Sequence, residues 1–367
     1  MRRLVAIDVA ASPRFVECVL ECWDDGDAVL PLDQRLSIEL RHETARRFGA
    51  GLVMTNDENI DLGGRQEMCD DEALVISTSG STGDPKGVVH THRSLDAAAA
   101  LTAQALALTS QHHWLVCIPV SHIGGFGVIT RALHAQTGLT LHPGFDASEV
   151  TRAALSGCTH VSLVPTALAR IDASLFQRIL LGGQAAPSDL PTNVTVTYGS
   201  TETGGGVVYD SLTLPHVNVR IVDGQIHVAS PTLFSRYLGV DESPLVDGWF
   251  ATGDMGTLVD GHLEVLGRAR DMIISGGENI WPGRIEHVAR TIEGVADACV
   301  IAQPDDEWGE SAWLYLETAR QVSMEELRDA IRSSLPTYYM PRRVTCVARL
   351  PRLSSGKVDK RLLAALE

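Results

Sequence analysis

Short apolar runs alternate with helix-length segments from Leu74 to Val265, and this alternation constrains the fold more than any other feature of the chain. Helices are predicted for 94–108 and through 128–134. The predicted strands are 74–76, 114–119, 139–142, 161–164, 179–181 and 194–198. Strands that alternate with helices favour a mostly parallel sheet with helices on its faces. We therefore expect an α/β fold.

After residue 198 the pattern changes to short strands separated by tight turns. Asp223-Gly224 and Asp260-Gly261 are turn pairs of the kind that join neighbouring antiparallel strands. The strands of this section are predicted at 217–222, 225–228, 249–251, 255–259 and 262–266. The pattern predicts a small antiparallel, β-barrel-like section.

A break in composition at 267–271 precedes a separate α+β unit of ordinary domain size. Its helices are predicted at 284–292 and 324–334, and its strands at 296–302 and 311–318. Ser323 and Glu326 have the spacing of a capping box at the start of the second helix. We predict a large N-terminal domain over 1–267, a hinge at 268–270 and a small, mobile C-terminal α+β domain over 271–367.

The composition is that of a soluble globular protein. The chain has 367 residues, of which 44% are hydrophobic, and no apolar run approaches the roughly 20 residues that span a bilayer. The N-terminus has no secretory signal pattern. We therefore expect a cytoplasmic protein that does not insert into a membrane.

Charge and cysteine content narrow the partners further. The 30 lysines and arginines against 46 aspartates and glutamates give a net charge of −16, which disfavours a nucleic-acid partner. The seven cysteines are an odd number, and only Cys18 and Cys22 lie close together. We predict reduced, mostly buried thiols rather than a metal site.

The stretch T-S-G-S-T-G-D-P-K-G, residues 78–87, follows a predicted strand and is suited to binding phosphate. Its glycines let backbone amides approach a ligand closely. Its hydroxyls add donors, and its lysine adds a mobile point charge. The spacing is not that of a Walker A loop, and a solvated hairpin loop is the alternative. The candidate phosphate-binding residues are Thr78, Ser79, Gly80, Ser81, Thr82, Gly83 and Lys86.

This stretch resembles the phosphate loop of the adenylate-forming superfamily, which includes acyl-CoA and aryl-CoA synthetases, luciferases and peptide-synthetase adenylation domains. Four further stretches resemble family motifs in the same order: Y-G-S-T-E at 198–202, G-W-F-A-T-G-D at 248–254, G-R-A-R-D-M-I-I-S-G-G-E-N at 267–279 and L-S-S-G-K-V-D at 353–359. The resemblance implies an enzyme that activates a carboxylic acid with ATP, releases pyrophosphate and passes the acyl group to a thiol. Activation is needed because a carboxylate is a poor electrophile.

The resemblance implies roles for the Y-G-S-T-E stretch. Thr201 contacts phosphate and Glu202 holds Mg²⁺, since a carboxylate beside phosphates needs a hard cation between them. An exposed turn acid is the alternative for Glu202. The adenine side of the ATP site is expected to contain Gly182, Gly183, Tyr198, Gly199 and Ser200.

Four residues near the predicted hinge and in the C-terminal unit also receive roles by resemblance. Asp254 accepts both ribose hydroxyls, because an ionised carboxylate only accepts hydrogen bonds. Arg268 contacts ribose or phosphate, and Arg270 is the hinge residue that absorbs the backbone rotation. Lys357 bridges the substrate carboxylate and the α-phosphate during adenylation. On its own this lysine would be interpreted as a solvated surface charge.

The stretch P-V-S-H-I-G-G-F, which contains His122 and Phe126, resembles the acid-pocket segment of acyl-CoA and aryl-CoA ligases. His122 is expected near the substrate carboxylate, with a core histidine as the alternative. Arg131 follows on the predicted helix and would suit a second carboxylate, because the guanidinium fork pairs well with carboxylates. Gly204 and Gly205 have no side chains, so the wall of the acid pocket that they are expected to form would fit a flat aromatic acid.

The thiol is expected to be coenzyme A. Gly276 and Gly277 resemble the loop that lines the pantetheine tunnel, and Trp308 would stack on the CoA nucleotide. A buried core tryptophan is the alternative for Trp308. The sequence has no carrier-protein domain after this unit, which favours free CoA as the co-substrate.

The position of the phosphate loop gives the expected acid. Only 77 residues precede Thr78, fewer than most family members carry, so we expect a shortened first lobe. Short chains of this kind occur in the o-succinylbenzoyl-CoA synthetase family, which implies o-succinylbenzoate as the substrate, in menaquinone biosynthesis. Another aryl- or acyl-CoA ligase and a catalytically inactive nucleotide-binding scaffold are alternatives. The oligomeric state is open, with a homodimer as one alternative.

Overall fold

The computed structural model describes residues 2–79, 85–183, 186–187, 189–352 and 358–365. Within these ranges the strands are, in chain order, β1 (Leu4–Ile7), β2 (Ala28–Pro31), β3 (Leu52–Met54), β4 (Asn59–Asp61), β5 (Glu72–Ser79), β6 (Pro85–Thr91), β7 (His113–Val116), β8 (Gly138–Leu141), β9 (His160–Leu163), β10 (Arg178–Leu181), β11 (Val194–Ser200), β12 (Gly205–Tyr209), β13 (Leu212–Thr213), β14 (Asn218–Val222), β15 (Gln225–Ala229), β16 (Arg236–Tyr237), β17 (Leu245–Val246), β18 (Trp249–Val259), β19 (His262–Arg268), β20 (Ile273–Ser275), β21 (Glu278–Ile280), β22 (Val295–Asp305), β23 (Gly309–Thr318) and β24 (Arg343–Val347).

The α-helices in the same ranges are α1 (Pro13–Asp24), α2 (Ile38–Arg47), α3 (His92–Ala105), α4 (Ile123–Ala135), α5 (Ala147–Leu155), α6 (Pro165–Leu168), α7 (Pro282–Arg290), α8 (Met324–Ser334) and α9 (Lys360–Ala364). None of the helices in the described part of the chain is both long enough and apolar enough to cross a bilayer.

The first sheet has the strand order β16-β6-β5-β2-β1-β3-β4 among the described residues. The pairs β1–β2, β1–β3 and β2–β5 are parallel, whereas β5–β6 and β6–β16 are antiparallel. Helix α1 begins after Ser12, whose side chain accepts a hydrogen bond from the Phe15 amide. Its buried residues Phe15, Cys18, Val19 and Cys22 recur at helical spacing, so one face of the helix is apolar.

The second sheet has the order β14-β15-β18-β19-β13-β12-β11-β10-β9-β7-β8, with β17 paired to β18, in the ranges that the structure covers. Strands β8, β7, β9, β10 and β11 are parallel, as the alternation of strands and helices predicted. The central strands bury their apolar side chains, including Leu115, Val161, Ile179 and Leu181, whereas β8 at the end of the strand order is half-buried. Parallel pairing brings the carboxyl ends of these strands to one edge of the sheet.

The predicted barrel-like section is part of this sheet. Its described strands form an open antiparallel run at one end of the strand order rather than a closed barrel. The segments predicted as two strands at 249–251 and 255–259 are one strand, β18. Gly253 has a φ of +75°, which glycine permits without strain, and the strand continues through it.

Contacts between residues divide the chain into two compact units. Unit 1 comprises Met1–Val219, His227–Phe250 and Asp260–Leu263; unit 2 comprises Arg220–Ile226, Ala251–Val259 and Glu264–Glu367. Unit 2 therefore includes two segments that precede the predicted boundary at 267. The hinge at 268–270 and the mobility of the C-terminal unit stay predictions.

The sheet of unit 2 has the order β21-β20-β23-β22, and β24 pairs in parallel with β23, among the described residues. Its core contains Ile285, Val300, Leu314, Leu327 and Ile331, which are almost fully buried. Helix α8 has the predicted bounds, and the Ser323 side chain caps it by accepting from the Glu326 amide. This arrangement agrees with the predicted α+β unit.

The seven cysteines are free thiols. Cys18, Cys22, Cys117, Cys158 and Cys299 are buried, Cys346 is half-buried and Cys69 is exposed. Burial raises the pKa of Cys22, Cys117 and Cys299 to about 12, so these thiols are protonated and poorly nucleophilic at neutral pH.

Candidate active site

The candidate site residues of unit 1 follow the carboxyl ends of the parallel strands in the second sheet. Gly182 and Gly183 follow β10, Tyr198 and Ser200 end β11, and His122 lies between β7 and α4. In open sheets of this kind, ligands bind at that edge. The structure therefore gathers residues that are up to about 80 positions apart in the sequence.

The end of β11 needs glycine. A Cβ atom on Gly199 would lie 1.9 Å from the carbonyl oxygen of Gly205, closer than any side chain allows. The register between β11 and β12 shifts at Tyr198 and Gly199. Gly204 and Gly205 have φ values of +70° and +110°, which other residues rarely adopt. The glycines thus form a close-packed turn that carries Thr201 and Glu202.

The predicted phosphate loop joins β5 and β6. Thr78 lies opposite Lys86 in this antiparallel pair, and its hydroxyl donates to the Lys86 carbonyl at 3.3 Å. The Lys86 side chain is exposed, and its ammonium lies 4.9 Å from the ring centre of Tyr237. The backbone of Ser79 belongs to β5. Gly80, Ser81, Thr82 and Gly83 lie outside the described residues.

Glu202 is half-buried and is held by neighbouring groups. The Tyr237 hydroxyl donates to Oε1 of Glu202 at 3.0 Å, and the Phe234 amide donates to its carbonyl at 2.9 Å. Oε2 has no hydrogen-bond partner in the part of the chain that the structure describes. Carboxylate oxygens are the ligands that Mg²⁺ prefers, so this carboxylate fits the predicted metal-binding role.

His90 lies directly behind this turn and is fully buried. Its Nε2 is 2.7 Å from the carbonyl oxygen of Thr201, and its Nδ1 is 3.1 Å from the Ser94 hydroxyl. Burial lowers the pKa of His90 to about 4, so the ring is neutral at pH 7. Because a carbonyl only accepts, Nε2 of the neutral ring carries the proton.

His122 is exposed and stands at the N-terminus of α4. Its Nε2 is 2.7 Å from a guanidinium nitrogen of Arg35. A guanidinium only donates, so Nε2 is the acceptor and Nδ1 carries the proton. Arg35 also donates to both carboxylate oxygens of Asp33, at 2.8 and 2.6 Å. Burial opposes ionisation of Asp33, but the hydrogen bonds from Arg35 outweigh it and lower its pKa.

Arg131 lies on α4 and is only 6% exposed. Its Nη1 donates to the Ser162 hydroxyl at 3.2 Å, and the guanidinium carbon is 5.5 Å from the Trp114 ring centre. No carboxylate of the described residues lies within ion-pair distance of it. Burial lowers the pKa of Arg131, since the charged form is deprived of water.

Two glycines border the Arg131 guanidinium closely. A Cβ atom on Gly205 would lie 3.9 Å from Nη2 of Arg131, and one on Gly127 would lie 3.0 Å from the same nitrogen. Nε1 of Trp114 is buried and has no hydrogen-bond partner within the described ranges. A buried cation without a counter-ion is costly unless an anion completes it. This group can therefore bind an anionic ligand.

Phe126 is placed differently from its predicted position in the acid pocket. Its ring is 0% exposed and packs edge-on against Phe15 and Trp23, with ring centres 6.4 and 6.1 Å away. The apolar face of α4 carries it into the core beneath the first helix. The packing gives Phe126 a structural role.

In unit 2 the structure brings Asp254 and Arg268 together. Nε of Arg268 lies 2.8 Å from Oδ1 of Asp254, which is 7% exposed. Nη1 of Arg268 donates to the Thr252 carbonyl at 3.0 Å. Arg270 lies in the short 3-10 turn Ala269–Asp271 and is exposed. Strands β18 and β19 thus hold the two residues predicted to contact ribose next to each other.

The residues predicted to contact CoA also lie together. The Gly276 amide donates to the Trp308 carbonyl at 2.9 Å, and a Cβ atom on Gly276 would lie 2.3 Å from the Trp308 ring. Gly277 follows with a φ of +83° and nothing near its Cβ position. Trp308 is 40% exposed, so it is not a buried core residue. The Arg342 guanidinium lies 5.2 Å from its ring centre.

Comparison with known proteins identifies the family. The model of the AMP-binding enzyme family matches residues 56–238, and that of the AMP-binding enzyme C-terminal domain matches residues 284–357. A 2-succinylbenzoate–CoA ligase of Listeria monocytogenes is 34% identical over 325 residues, which cover 79% of this chain and 69% of the relative. The chain belongs to the AMP-binding enzyme family.

Further members of the AMP-binding family support this assignment. A probable 2-succinylbenzoate–CoA ligase of Mycobacterium tuberculosis is 35% identical over 332 residues, covering 81% of this chain and 85% of that protein. The structure of o-succinylbenzoate CoA synthetase from Bacillus subtilis with the acyl-adenylate OSB-AMP superposes with a TM-score of 0.86, at 28% identity, covering 99% of this chain and 88% of that one. The predicted superfamily is confirmed.

The catalytic lysine predicted in this AMP-binding enzyme, Lys357, lies outside the described residues. The segments on either side of it are held in place: Arg352 and Val358 form an antiparallel bridge, and Nη2 of Arg352 lies 2.6 Å from Oδ2 of Asp297. The Asp359 side chain caps α9. The base of the lysine loop is therefore fixed by unit 2.

Several residues of the site were not predicted from the sequence. Arg35, His90 and Tyr237 reach His122, Thr201 and Glu202 across 87, 111 and 35 positions of sequence, respectively. No local pattern marks such contacts. Only the pairing of β16 with β6 brings Tyr237 to the site.

Proposed function

We propose that the protein is an AMP-forming 2-succinylbenzoate–CoA ligase. The observation that carries the choice of acid is Arg131, a buried guanidinium with no carboxylate partner among the described residues. o-Succinylbenzoate has two carboxylates, so one can be activated while the other pairs with Arg131. The curated relatives carry the same activity in their names.

The reaction has two steps. In the first step, one carboxylate oxygen of the acid attacks the α-phosphorus of ATP. The attacking carboxylate is either the one on the ring or the one on the side chain. The bond between the α- and β-phosphates breaks, and pyrophosphate leaves. The sulfur of CoA then attacks the acyl carbon of the adenylate, its proton is released, and AMP leaves with the bonding electron pair. Both steps conserve charge and atoms without a redox partner.

The phosphate end of ATP is assigned to unit 1. Thr78 and Lys86, with the loop between them, bind the β- and γ-phosphates, and Thr201 contacts phosphate from the other side. Glu202 would hold Mg²⁺ through its carboxylate. The cation, when bound, neutralises phosphate charge and so makes pyrophosphate a better leaving group. The protein's part is to keep these donors in place before ATP binds.

The nucleoside end of ATP is assigned to the glycine-rich edge of the sheet and to β18. Tyr198 stacks on adenine, and the backbones of Gly182, Gly183, Gly199 and Ser200 border it. Asp254 accepts the ribose hydroxyls, and its contact with Arg268 orients the carboxylate for that purpose. The Ser200 hydroxyl is buried and has no hydrogen-bond partner in the described ranges.

The acid is assigned to the start and the middle of α4. His122 offers its Nδ1 proton to the acid, because Arg35 occupies Nε2. Arg131 pairs with the second carboxylate beside Gly204 and Gly205. Lys357 contacts the reacting carboxylate and the α-phosphate during adenylation.

The CoA nucleotide is assigned to the exposed face of Trp308. The Trp308 ring packs against the Gly276 backbone, and the Arg342 guanidinium lies near the ring. The ring would stack on the adenine of CoA, and the guanidinium would pair with a phosphate. Gly277 keeps the adjacent backbone open for the pantetheine chain. We also assign the enzyme to the cytoplasm, where reduced thiols persist. A homodimer stays a prediction that sedimentation analysis would test.

A substrate panel tests the proposal. The protein is incubated with ATP, Mg²⁺ and CoA, and with o-succinylbenzoate, benzoate or a fatty acid in turn. Pyrophosphate release and CoA ester formation are measured separately. We expect kcat/KM to be highest for o-succinylbenzoate. Equal rates with monocarboxylates would refute the choice of acid, and no pyrophosphate release with any acid would indicate an inactive nucleotide-binding scaffold.

A further inference from the structure

Two unassigned polar side chains meet the turn that carries Glu202 from opposite ends. His90 reaches the Thr201 carbonyl, and Tyr237 reaches the Glu202 carboxylate. The Phe234 amide adds a third hydrogen bond, to the Glu202 carbonyl. Within the turn, the Gly204 amide also donates to the Thr201 carbonyl at 3.1 Å. Residues 201 and 202 are thus held by this bond and by side chains and backbone of other segments.

His90 is a buried polar side chain, and its burial costs free energy. It is 0% exposed, between the buried Val89 and the start of α3. Removing an imidazole from water costs free energy that only its hydrogen bonds offset. Both ring nitrogens have partners, Thr201 on one side and Ser94 on the other. The ring therefore ties the end of β6 to the Thr201 carbonyl.

Tyr237 is fixed by its neighbour in β16. Arg236 donates to both carboxylate oxygens of Glu72 at 2.7 and 2.9 Å, and Glu72 is 3% exposed. A bidentate pair of this kind has a defined geometry. Glu72 belongs to β5, so the pair links β16 to β5 across β6, where Tyr237 lies opposite Val88.

The Tyr237 side chain also contacts the phosphate-loop lysine. Lys86 is two residues from Val88 and lies on the same face of β6, which places its ammonium 4.9 Å from the Tyr237 ring centre. One aromatic residue thus contacts the lysine through its ring face and the glutamate through its hydroxyl. Tyr237 therefore lies in contact with both charged side chains.

We propose that His90 and Tyr237 are positioning residues for the metal-binding carboxylate, His90 through the Thr201 carbonyl and Tyr237 through Oε1 of Glu202. The inference rests on the proposed function, because it needs Glu202 to bind Mg²⁺. Neither residue touches the reacting atoms. Their effect is to orient Oε2 of Glu202 before the cation arrives, so that binding does not have to order it.

The test measures ATP binding calorimetrically with Mg²⁺ and with EDTA, and takes the ratio of the two affinities as the gain due to the metal. Tyr237→Phe removes only the hydroxyl, and we expect it to lower this gain about tenfold or more, as the loss of a hydrogen bond to a charged group predicts. His90→Leu should lower the gain too, and His90→Gln should restore part of it by keeping a donor.

Matched variants separate positioning from general damage. Tyr209→Phe also removes a buried tyrosine hydroxyl, one that bonds Thr102 at 3.0 Å, and His160→Leu also replaces a buried histidine. Both should leave the gain due to the metal unchanged. Thermal unfolding of each variant shows whether it folds. If His90→Leu does not fold, Tyr237→Phe alone tests the positioning role.

Glu202→Gln separates the failure of this inference from the failure of the proposed function. If Glu202→Gln lowers the gain and Tyr237→Phe does not, the positioning role is wrong and the metal role of Glu202 stands. If Glu202→Gln leaves the gain unchanged, both are wrong. If both variants lower the gain and the matched variants do not, the positioning role is supported.

Discussion

Replacing Arg131 with methionine should affect folding and substrate binding in opposite directions. The side chain is 6% exposed, donates one hydrogen bond to Ser162 and has no carboxylate partner among the described residues. Replacing a buried charged group with a hydrophobic residue of similar volume is neutral or stabilises by about 1–4 kcal/mol. Losing the Ser162 hydrogen bond costs about 0.5–1.5 kcal/mol. We therefore expect Arg131→Met to leave the free energy of unfolding unchanged or to raise it.

Binding of o-succinylbenzoate should weaken strongly in the same variant. Truncating one partner of a buried, hydrogen-bonded charge pair costs about 2–5 kcal/mol. At about 1.4 kcal/mol per factor of ten, the dissociation constant should rise by roughly 30-fold to a few thousandfold. ATP affinity should stay near the wild-type value, because Arg131 is assigned to the acid alone.

Urea unfolding and calorimetric titration with o-succinylbenzoate, benzoate and ATP measure these effects. Arg152→Met is the matched control, since Arg152 lies on the surface of α5 beside Glu149. It should change neither stability nor binding appreciably. A fall in stability together with equal weakening for all ligands would show that Arg131 is structural, and an unchanged affinity for o-succinylbenzoate would refute its assignment to the second carboxylate.

Four further predictions follow from the same geometry. Arg35→Met should raise KM for the acid several-fold without changing KM for ATP, because it frees Nε2 of His122 to carry the proton; equal changes in both constants would contradict this. Lys357→Ala should abolish pyrophosphate release but spare thioester formation from supplied acyl-adenylate, and loss of both steps would refute its role. Trp308→Ala should raise KM for CoA and leave pyrophosphate release intact, so a loss of pyrophosphate release would count against the assignment. Burial lowers the pKa of His160 to about 4 from the ordinary 6.5, so its contribution to stability is complete above pH 6.5 and is lost as the pH falls towards 4. This loss amounts to about 3 kcal/mol at most, and the pH dependence of urea unfolding should flatten in His160→Leu.

Strands β7, β9 and β10 of the parallel sheet could be predicted because each is a short and mostly buried run. β9 and β10 differ from their predictions by a residue at most at either end. The prediction failed where local signals conflict with pairing. Gly253 and Asp254 have the sequence of a turn, yet β18 continues through them, because it lies between β15 on one side and β19 on the other.

The site could be predicted only where a motif lies in one stretch of sequence. Tyr198 to Glu202 are contiguous, so their common position follows from the end of one strand. Arg35 and Tyr237 reach the site through the order of strands in the first sheet, which no local pattern encodes. The buried position of Phe126 was missed for a related reason: the side of α4 that faces α1 depends on packing between segments about a hundred residues apart.

The pairing of the arginines separates structural cations from ligand-binding ones. Arg35, Arg236 and Arg268 each have a carboxylate partner at 2.6–2.8 Å, and each holds another residue of the site or its backbone in position. Arg131 is more deeply buried than any of these, yet it has no such partner among the described residues. The chain carries a net charge of −16, and ATP, CoA and a dicarboxylic acid are all anions, so the net charge of the protein does not attract them. Recognition must therefore come from the few cations whose charge is left to the ligand, which makes the absence of a partner for Arg131 the feature most closely tied to the choice of acid.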